Sequence, residues 1–210
     1  MIKMTKSRAA LFALGAAVTG SMLGAGSLEQ AKPGEIGAKA PDFTLVDTDG
    51  KEHTLSEYTK QGKTVVLEWF SPECPFVKKH YREDTGTMLA IQDEMKDQPV
   101  VWLRINSGRK GHPSTGVERN KQAAADWGIN TAILLDDTGK VGMSYNAKRT
   151  PEMYVIDAQG VLRYHGAIDN RNDAAMPGDV NYVRNALQQV LAGETVTTTQ
   201  TKAYGCGVKY

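Results

Sequence analysis

The strongest constraint on the fold is an apolar run from Thr64 to Phe70 that ends abruptly at Ser71-Pro72-Glu73-Cys74-Pro75. The run is rich in β-branched and aromatic residues and has the length of a buried strand. Pro75 suits the first position of a helix, where the missing N–H group costs nothing. The sequence therefore predicts a central strand that gives way, at Cys74, to a helix that continues to about Met95.

Strands and helices continue to alternate along the chain. Val100 to Ile105 predicts a second buried strand, and Val117 to Trp127 predicts a helix that ends at Gly128. Ile133 to Leu135 predicts a short third strand. This order predicts an α/β protein with a central mixed β-sheet flanked by helices.

Two turns and a last helix complete the predicted domain. Two segments have residues typical of hairpin turns. One is Asp49-Gly50, which follows a short strand pattern, and the other is Asp157-Ala158-Gln159-Gly160, which separates two such patterns. Apolar residues recur at helical spacing from Val180 to Leu191, and Gly193 ends that helix. The remaining segment, 193–210, is rich in Thr and then in Gly, and it predicts an extended C-terminal tail.

The N-terminal residues have the pattern of a secretory signal peptide. Lys3, Lys6 and Arg8 precede an uncharged run from Ala9 to Gly26. We therefore predict a signal peptide over 1–26, a linker over 27–37, one domain over 38–192, and a periplasmic or secreted protein with no stable membrane insertion after cleavage. An uncleaved membrane anchor is the alternative, which the shortness of the run and its glycines disfavour.

Composition excludes several classes of function. The 25 Lys and Arg residues nearly balance the 24 Asp and Glu residues, so no basic field points to nucleic acid as a partner. Two cysteines are too few for a disulfide-rich scaffold or a four-thiolate metal site. Phosphate-loop and His-cluster motifs are absent from the sequence, so we predict neither a metal nor another cofactor. We expect His80 and His165 at the surface.

Cys74 is the candidate reactive group. Its predicted location at the start of a helix offers N–H groups and a helix dipole that favour a thiolate, although the carboxylate of Glu73 opposes one. A buried, inert cysteine is the alternative.

Thr64 to Val77 and Arg149 to Asp157 resemble the active-site elements of the thioredoxin-fold superfamily. The resemblance is closest to exported redoxins that are related to the alkyl hydroperoxide reductase/thiol-specific antioxidant (AhpC/TSA) group. Cys74-Pro75 matches the family's nucleophilic cysteine, and Thr150-Pro151 matches its cis-proline segment. The resemblance covers about 38–192 and implies a thioredoxin-like fold.

The resemblance also implies roles for individual residues. Cys74 would be the catalytic nucleophile, and Glu68 would be the buried acid that relays a proton to the reacting thiols. Thr150 and Pro151 would shape the groove that binds a peptide substrate. The aromatic side chains at Trp69 and Phe76 would contribute to substrate binding.

The sequence departs from the family at the usual second cysteine. Val77 occupies that position, and the other thiol of the chain is Cys206, which lies between two glycines in the tail. Thiol–disulfide exchange needs a second thiolate to release the mixed disulfide. We therefore hypothesise that Cys206 is a distal resolving cysteine that forms a disulfide with Cys74.

The predicted function is thiol–disulfide exchange with a protein thiol or disulfide, supported by an external reductant. A permanent Cys74–Cys206 disulfide in a non-catalytic binding module is one alternative. A peroxiredoxin-like peroxidase acting on peroxide is another. Ser71, three residues before Cys74, fits the peroxidase family, whereas Leu67 replaces that family's proline.

Overall fold

The computed structural model of the protein describes residues 34–210. The predicted signal peptide, 1–26, lies outside the described residues. Only 34–37 of the predicted linker is described, and there the Gly37 N–H donates to the Leu162 carbonyl at 2.9 Å. Across 34–210 no helix is long and apolar enough to span a bilayer.

The described residues form strands and helices in alternation. The strands are β1 Thr44–Asp47, β2 Glu52–Thr54, β3 Thr64–Trp69, β4 Val100–Asn106, β5 Ile133–Leu135, β6 Arg149–Thr150, β7 Glu152–Ile156, β8 Leu162–Gly166 and β9 Cys206–Gly207. The helices are α1 Leu55–Lys60, α2 Pro75–Lys78, α3 Thr87–Glu94, α4 Val117–Trp127, α5 Lys140–Ser144 and α6 Tyr182–Leu191.

Seven strands form one sheet in the order β2-β1-β5-β4-β3-β7-β8. The central strand β3 runs parallel to β4 and antiparallel to β7. Strand β4 is also parallel to β5, whereas the outer pairs β1–β2, β1–β5 and β7–β8 are antiparallel. The sheet is therefore mixed, as the sequence predicted.

Side chains of β3 alternate between two apolar cores, one on each face of the sheet. Val66 packs with residues of α3, α4 and α6, whereas Leu67 and Trp69 pack with residues of α1 and with Tyr145. Because successive side chains of a strand point to opposite faces, this alternation requires both faces to be covered. Helices on both faces confirm the predicted layering.

Several predicted elements agree with the structure, and one does not. The bounds of α4 are those predicted, and Gly128 ends it with φ +65°. Both hairpin turns are also present. The predicted continuous helix from Pro75 to Met95 is wrong, because α2 ends at Lys78 and α3 begins only at Thr87.

Local polar contacts explain the break between α2 and α3. The Thr85 hydroxyl donates to the Lys79 carbonyl, and the Met88 N–H donates to the His80 carbonyl at 3.2 Å. Gly86 has ψ +60°, which is not helical. Side-chain hydroxyls that bond to nearby backbone compete with helical hydrogen bonds, so the chain loops here and turns Lys79 and His80 inward.

The tail lies along the domain through most of its length. The Thr201 N–H donates to the His165 carbonyl at 3.1 Å, and the Val208 N–H donates to the Lys148 carbonyl at 3.1 Å. The Tyr210 hydroxyl donates to the Ala147 carbonyl at 2.7 Å. These hydrogen bonds bring the tail past the end of β3, where Cys74 lies.

Candidate active site

Cys74 lies at the junction between β3 and α2, in the position just before the helix. Its carbonyl accepts hydrogen bonds from the N–H groups of Val77 and Lys78, both at 3.0 Å, so the turn is closed around the cysteine. Cys74 is only 1% exposed. Helix α2 has four residues instead of the expected twenty or so, and its dipole is therefore that of a single turn.

The Cys74 thiol is directed at the segment that the resemblance identified as the cis-proline loop. Its Sγ donates to the Thr150 carbonyl at 2.9 Å. The Thr150–Pro151 peptide bond is cis, as expected. Thr150 and Pro151 are both buried, and the Thr150 Oγ1 atom has no hydrogen-bond partner. Cys74 and the loop are thus in direct contact.

Cys206 reaches the same segment through the C-terminal tail. Strand β9 pairs antiparallel with β6, with Cys206 opposite Thr150 and Gly207 opposite Arg149. Both cysteines are free thiols, and Cys206 is half-buried. Burial and the hydrogen bond and charge of Cys74 raise the pKa of Cys206 to about 12. The two thiols, which are remote in sequence, are therefore neighbours in the fold.

Gly205 allows this close approach of the tail. Its φ of +108° lies in a region that favours glycine, and a Cβ atom there would stand 2.2 Å from the Thr150 carbonyl oxygen. The Arg149 guanidinium donates to the Gly205 carbonyl at 3.4 Å from the exposed side. The chain can thus pass Thr150 only with glycine at this position.

The structure separates the two aromatic residues that were expected at a substrate surface. Phe76 is partly exposed and packs against the tail, with its ring centroid 6.0 Å from that of Tyr204. Trp69 is completely buried, and its Nε1 donates to the Ser107 hydroxyl at 3.1 Å. The expectation for Trp69 is therefore corrected: its parity along β3 turns it into the core, away from the face that holds Cys74.

Glu68 belongs to a buried polar network on the sheet. It lies opposite Arg104 in the parallel register of β3 and β4, and its Oε2 atom is 3.5 Å from the Arg104 Nε atom. The Tyr81 hydroxyl donates to that same Glu68 oxygen and accepts from Arg104 Nε at 2.8 Å. Burial raises the pKa of Glu68, although Arg104 and Tyr81 oppose the rise. The Glu68 Oε1 atom has no partner.

A second buried polar cluster, missed from the sequence, lies directly after α2. Lys79 and His80 have side chains that are 0% exposed, and the Lys79 Nζ atom is 3.7 Å from the Asp169 carboxylate. Burial lowers the pKa of Lys79 and lowers the pKa of His80 to about 3. The expected surface position of His80 is wrong, because its ring points into this cluster. His165 is half-buried and bonds to Glu152 Oε1 at 2.7 Å.

Weak sequence signals mark the residues that were missed. Arg104 interrupts an otherwise apolar strand, as Glu68 does in its neighbour, and two opposite charges in adjacent buried strands suggest a pair. Tyr204 is an aromatic residue two positions before the tail cysteine. Lys79 and Asp169 carry no such signal, because only the folded chain brings them together.

Comparison with known proteins agrees with this arrangement. The AhpC/TSA family profile matches residues 36–165. Thiol-disulfide oxidoreductase ResA of Geobacillus kaustophilus is 31% identical over 128 residues, which cover 61% of this chain and 67% of that protein. Thioredoxin-like protein YneN of Bacillus subtilis is 30% identical over 129 residues, which cover 60% of this chain and 68% of that protein.

A solved structure matches over more of the chain. The crystal structure of an uncharacterised conserved protein from Geobacillus kaustophilus aligns with a TM-score of 0.75 and 28% identity, over 84% of this chain and 92% of that one. These matches confirm the predicted resemblance and its thioredoxin-like fold.

Proposed function

The chain belongs to the AhpC/TSA family, and from this premise we propose that it is a thiol–disulfide oxidoreductase with Cys74 as nucleophile and Cys206 as resolving cysteine. Relatives named as thiol-disulfide oxidoreductases support the reaction class. The single observation that carries the proposal is the meeting of both cysteines at Thr150: one donates its thiol proton to the Thr150 carbonyl, and the other pairs with Thr150 along β6.

The reaction proceeds by two exchanges. The Cys74 thiolate attacks a partner disulfide, forms a mixed disulfide and releases the first partner thiol. The Cys206 thiolate then attacks the Cys74 sulfur, forms the Cys74–Cys206 disulfide and releases the second partner thiol. The partner gains two electrons and two protons, and the two cysteines lose them. An external thiol reductant reverses the process and restores both free thiols.

Glu68 is the group that we assign to proton exchange with the reacting thiols. Its strand, β3, leads directly to Cys74, and burial raises the pKa of its carboxyl group above that of a solvated glutamate, which makes the group a better proton acceptor. The unpartnered Oε1 atom is free to accept a hydrogen bond. Arg104 and Tyr81 hold the other oxygen in place.

The substrate groove is formed by Thr150, Pro151 and Phe76, where the tail now lies. The pairing of β9 with β6 supports an extended segment of a partner protein as substrate, because it demonstrates that the Thr150 backbone accepts a neighbouring strand. The expected partners are protein thiols or disulfides in an oxidising compartment, periplasmic or extracellular, where a disulfide persists.

The test compares the wild-type protein with Cys74→Ser and Cys206→Ser. Each is equilibrated with reduced and oxidised glutathione, trapped with acid and mapped by mass spectrometry. We expect a reversible Cys74–Cys206 disulfide in the wild type, a mixed disulfide held on Cys74 in Cys206→Ser, and no intramolecular disulfide in Cys74→Ser. Reduction of a protein disulfide should be lost in both variants.

Three outcomes would contradict the proposal. Two free thiols in the wild type under oxidising conditions would exclude the paired-cysteine reaction. A disulfide with a reduction potential far below about −300 mV would indicate a permanent structural bond. Rapid consumption of hydrogen peroxide by the reduced protein, abolished in Cys74→Ser, would indicate a peroxidase.

A further inference from the structure

Next to the active site, the tail carries a buried tyrosine. Tyr204 is 8% exposed, although the tail around it lies on the surface of the domain. Its hydroxyl donates to Asp169 Oδ1 and lies 3.2 Å from His80 Nε2. The Lys79 ammonium stands 4.6 Å from the centre of its ring. We call Lys79, His80 and Asp169 the tyrosine socket.

The socket is held in place by its own hydrogen bonds. The Lys79 ammonium donates to the Arg171 carbonyl at 2.7 Å, and Asp169 accepts from the Gly178 N–H at 2.7 Å. The Thr87 hydroxyl lies 2.7 Å from His80 Nδ1. Because these side chains are almost completely buried, loss of the Tyr204 hydroxyl would leave the Asp169 carboxylate, which is 2% exposed, without one of its donors.

Two of the three socket residues, Lys79 and His80, lie on the same short piece of chain as the nucleophile. Lys79 and His80 follow α2 immediately, and Cys74 precedes it. On the tail, Tyr204 is separated from Cys206 only by Gly205, which is packed against the Thr150 carbonyl and Phe76. Whatever fixes Tyr204 relative to Lys79 and His80 therefore also fixes Cys206 relative to Cys74.

We propose that Tyr204 is a positioning residue that anchors the tail in the tyrosine socket and so delivers Cys206 to Cys74. This inference rests on the proposed function. It adds the contact that holds Cys206, which is distant in sequence, close enough to react with Cys74. A docked tail gives Cys206 a high effective concentration at Cys74, whereas an undocked tail gives it only that of a flexible tether.

The experiment uses the full chain with Tyr204→Phe and Tyr204→Ala, and Tyr58→Phe as the matched control. Tyr58 also places its hydroxyl beside a histidine, 2.6 Å from His53 Nδ1, but on helix α1. Each protein is equilibrated with glutathione, so that oxidised glutathione takes the two electrons as the Cys74–Cys206 disulfide forms. Hydrogen exchange of the tail and of strands β3 and β4 is measured on the reduced proteins.

We expect Tyr204→Phe to speed exchange of the tail amides roughly 10- to 100-fold, which is about 1.4 to 2.8 kcal/mol at 1.4 kcal/mol per factor of ten. Tyr204→Ala should lower the equilibrium constant of the disulfide by about tenfold or more, with Tyr204→Phe between it and the wild type. Exchange in β3 and β4 should not change, and Tyr58→Phe should behave as the wild type in the tail.

An unchanged disulfide equilibrium in Tyr204→Ala, while the wild type forms the disulfide, would overturn the positioning role alone. An equal decrease in Tyr58→Phe would also overturn it, because the effect would then follow from general destabilisation. Absence of the disulfide from the wild type would overturn the proposed function together with this inference.

Discussion

Two glycines flank the tail cysteine, and the structure predicts opposite results when each is changed to alanine. At Gly205 a Cβ atom would lie 2.2 Å from the Thr150 carbonyl oxygen and 3.2 Å from the Phe76 Cβ atom. At Gly207 no atom lies within 4 Å of the added Cβ, and the backbone is outside the positive-φ region. The pair therefore separates a steric effect from the general effect of adding a methyl group.

The expected magnitude follows from two contributions. The φ of +108° at Gly205 costs an alanine about 1–3 kcal/mol. The clash with Thr150 adds to this cost, because its nearest atom is a backbone oxygen that cannot turn aside. Together the two contributions lower the equilibrium constant for tail docking by at least about tenfold, at 1.4 kcal/mol per factor of ten.

The assay is the glutathione equilibrium of the Cys74–Cys206 disulfide, with hydrogen exchange of the tail as a second measurement. Gly205→Ala should lower the effective concentration of Cys206 toward about the millimolar value of a flexible tether. In Gly207→Ala the free energy of tail docking should stay within about 0.5 kcal/mol of the wild-type value. Equal behaviour of the two variants, or a wild-type equilibrium in Gly205→Ala, would refute the reasoning.

Three further predictions concern buried or half-buried groups. Burial lowers the pKa of His80 to about 3 from 6.5, so the unfolded chain binds a proton that the folded chain excludes, and the free energy of unfolding falls as pH drops from 6.5 toward 3. Urea unfolding should give a slope of up to about 1.4 kcal/mol per pH unit that flattens in His80→Gln; equal slopes would contradict the prediction. Burial and Cys74 raise the pKa of Cys206 to about 12, so its alkylation should still accelerate above about pH 10. Cys74→Ala should move that alkylation profile to lower pH. An unchanged profile would show that Cys74 does not raise the pKa of Cys206. Arg104→Met leaves Glu68 buried without its cation and should lower the free energy of unfolding by about 3–5 kcal/mol. The double variant Glu68→Gln/Arg104→Met should lose less unfolding free energy than Arg104→Met alone. A loss equal to the sum of the two single losses would show that the pair is not coupled.

Local patterns were sufficient for most of the elements of the fold. Helix α4 ends at a glycine, Gly128, directly after its last residue, and its predicted bounds agree with the structure. The hairpin turn at Asp157 to Gly160 is specified in the same way. The predicted helix from Pro75 to Met95 is wrong because the Thr85 hydroxyl bonds to the Lys79 carbonyl and the chain loops there. The loop turns Lys79 and His80 toward Asp169, which is remote in sequence.

The candidate site also has features that the sequence predicts and features that only the fold decides. A strand that ends at Cys74-Pro75, a Thr150-Pro151 segment and a second cysteine at position 206 are visible in the sequence, and they were enough to predict the fold and a reaction class. The location of Trp69 on the face opposite Cys74, by contrast, depends on the face to which the chain turns after β3 ends.

The sequence by itself identified the candidate reactive groups and the elements that carry them, since strand length, turn residues and helix stops act over a few neighbouring residues. Only the tertiary structure decided that Cys206 meets Cys74 at the Thr150 backbone, and that Tyr204 is buried against Lys79 and Asp169. Those contacts join segments that are far apart along the chain. Their geometry is fixed by the packing of the whole sheet, which no local pattern records.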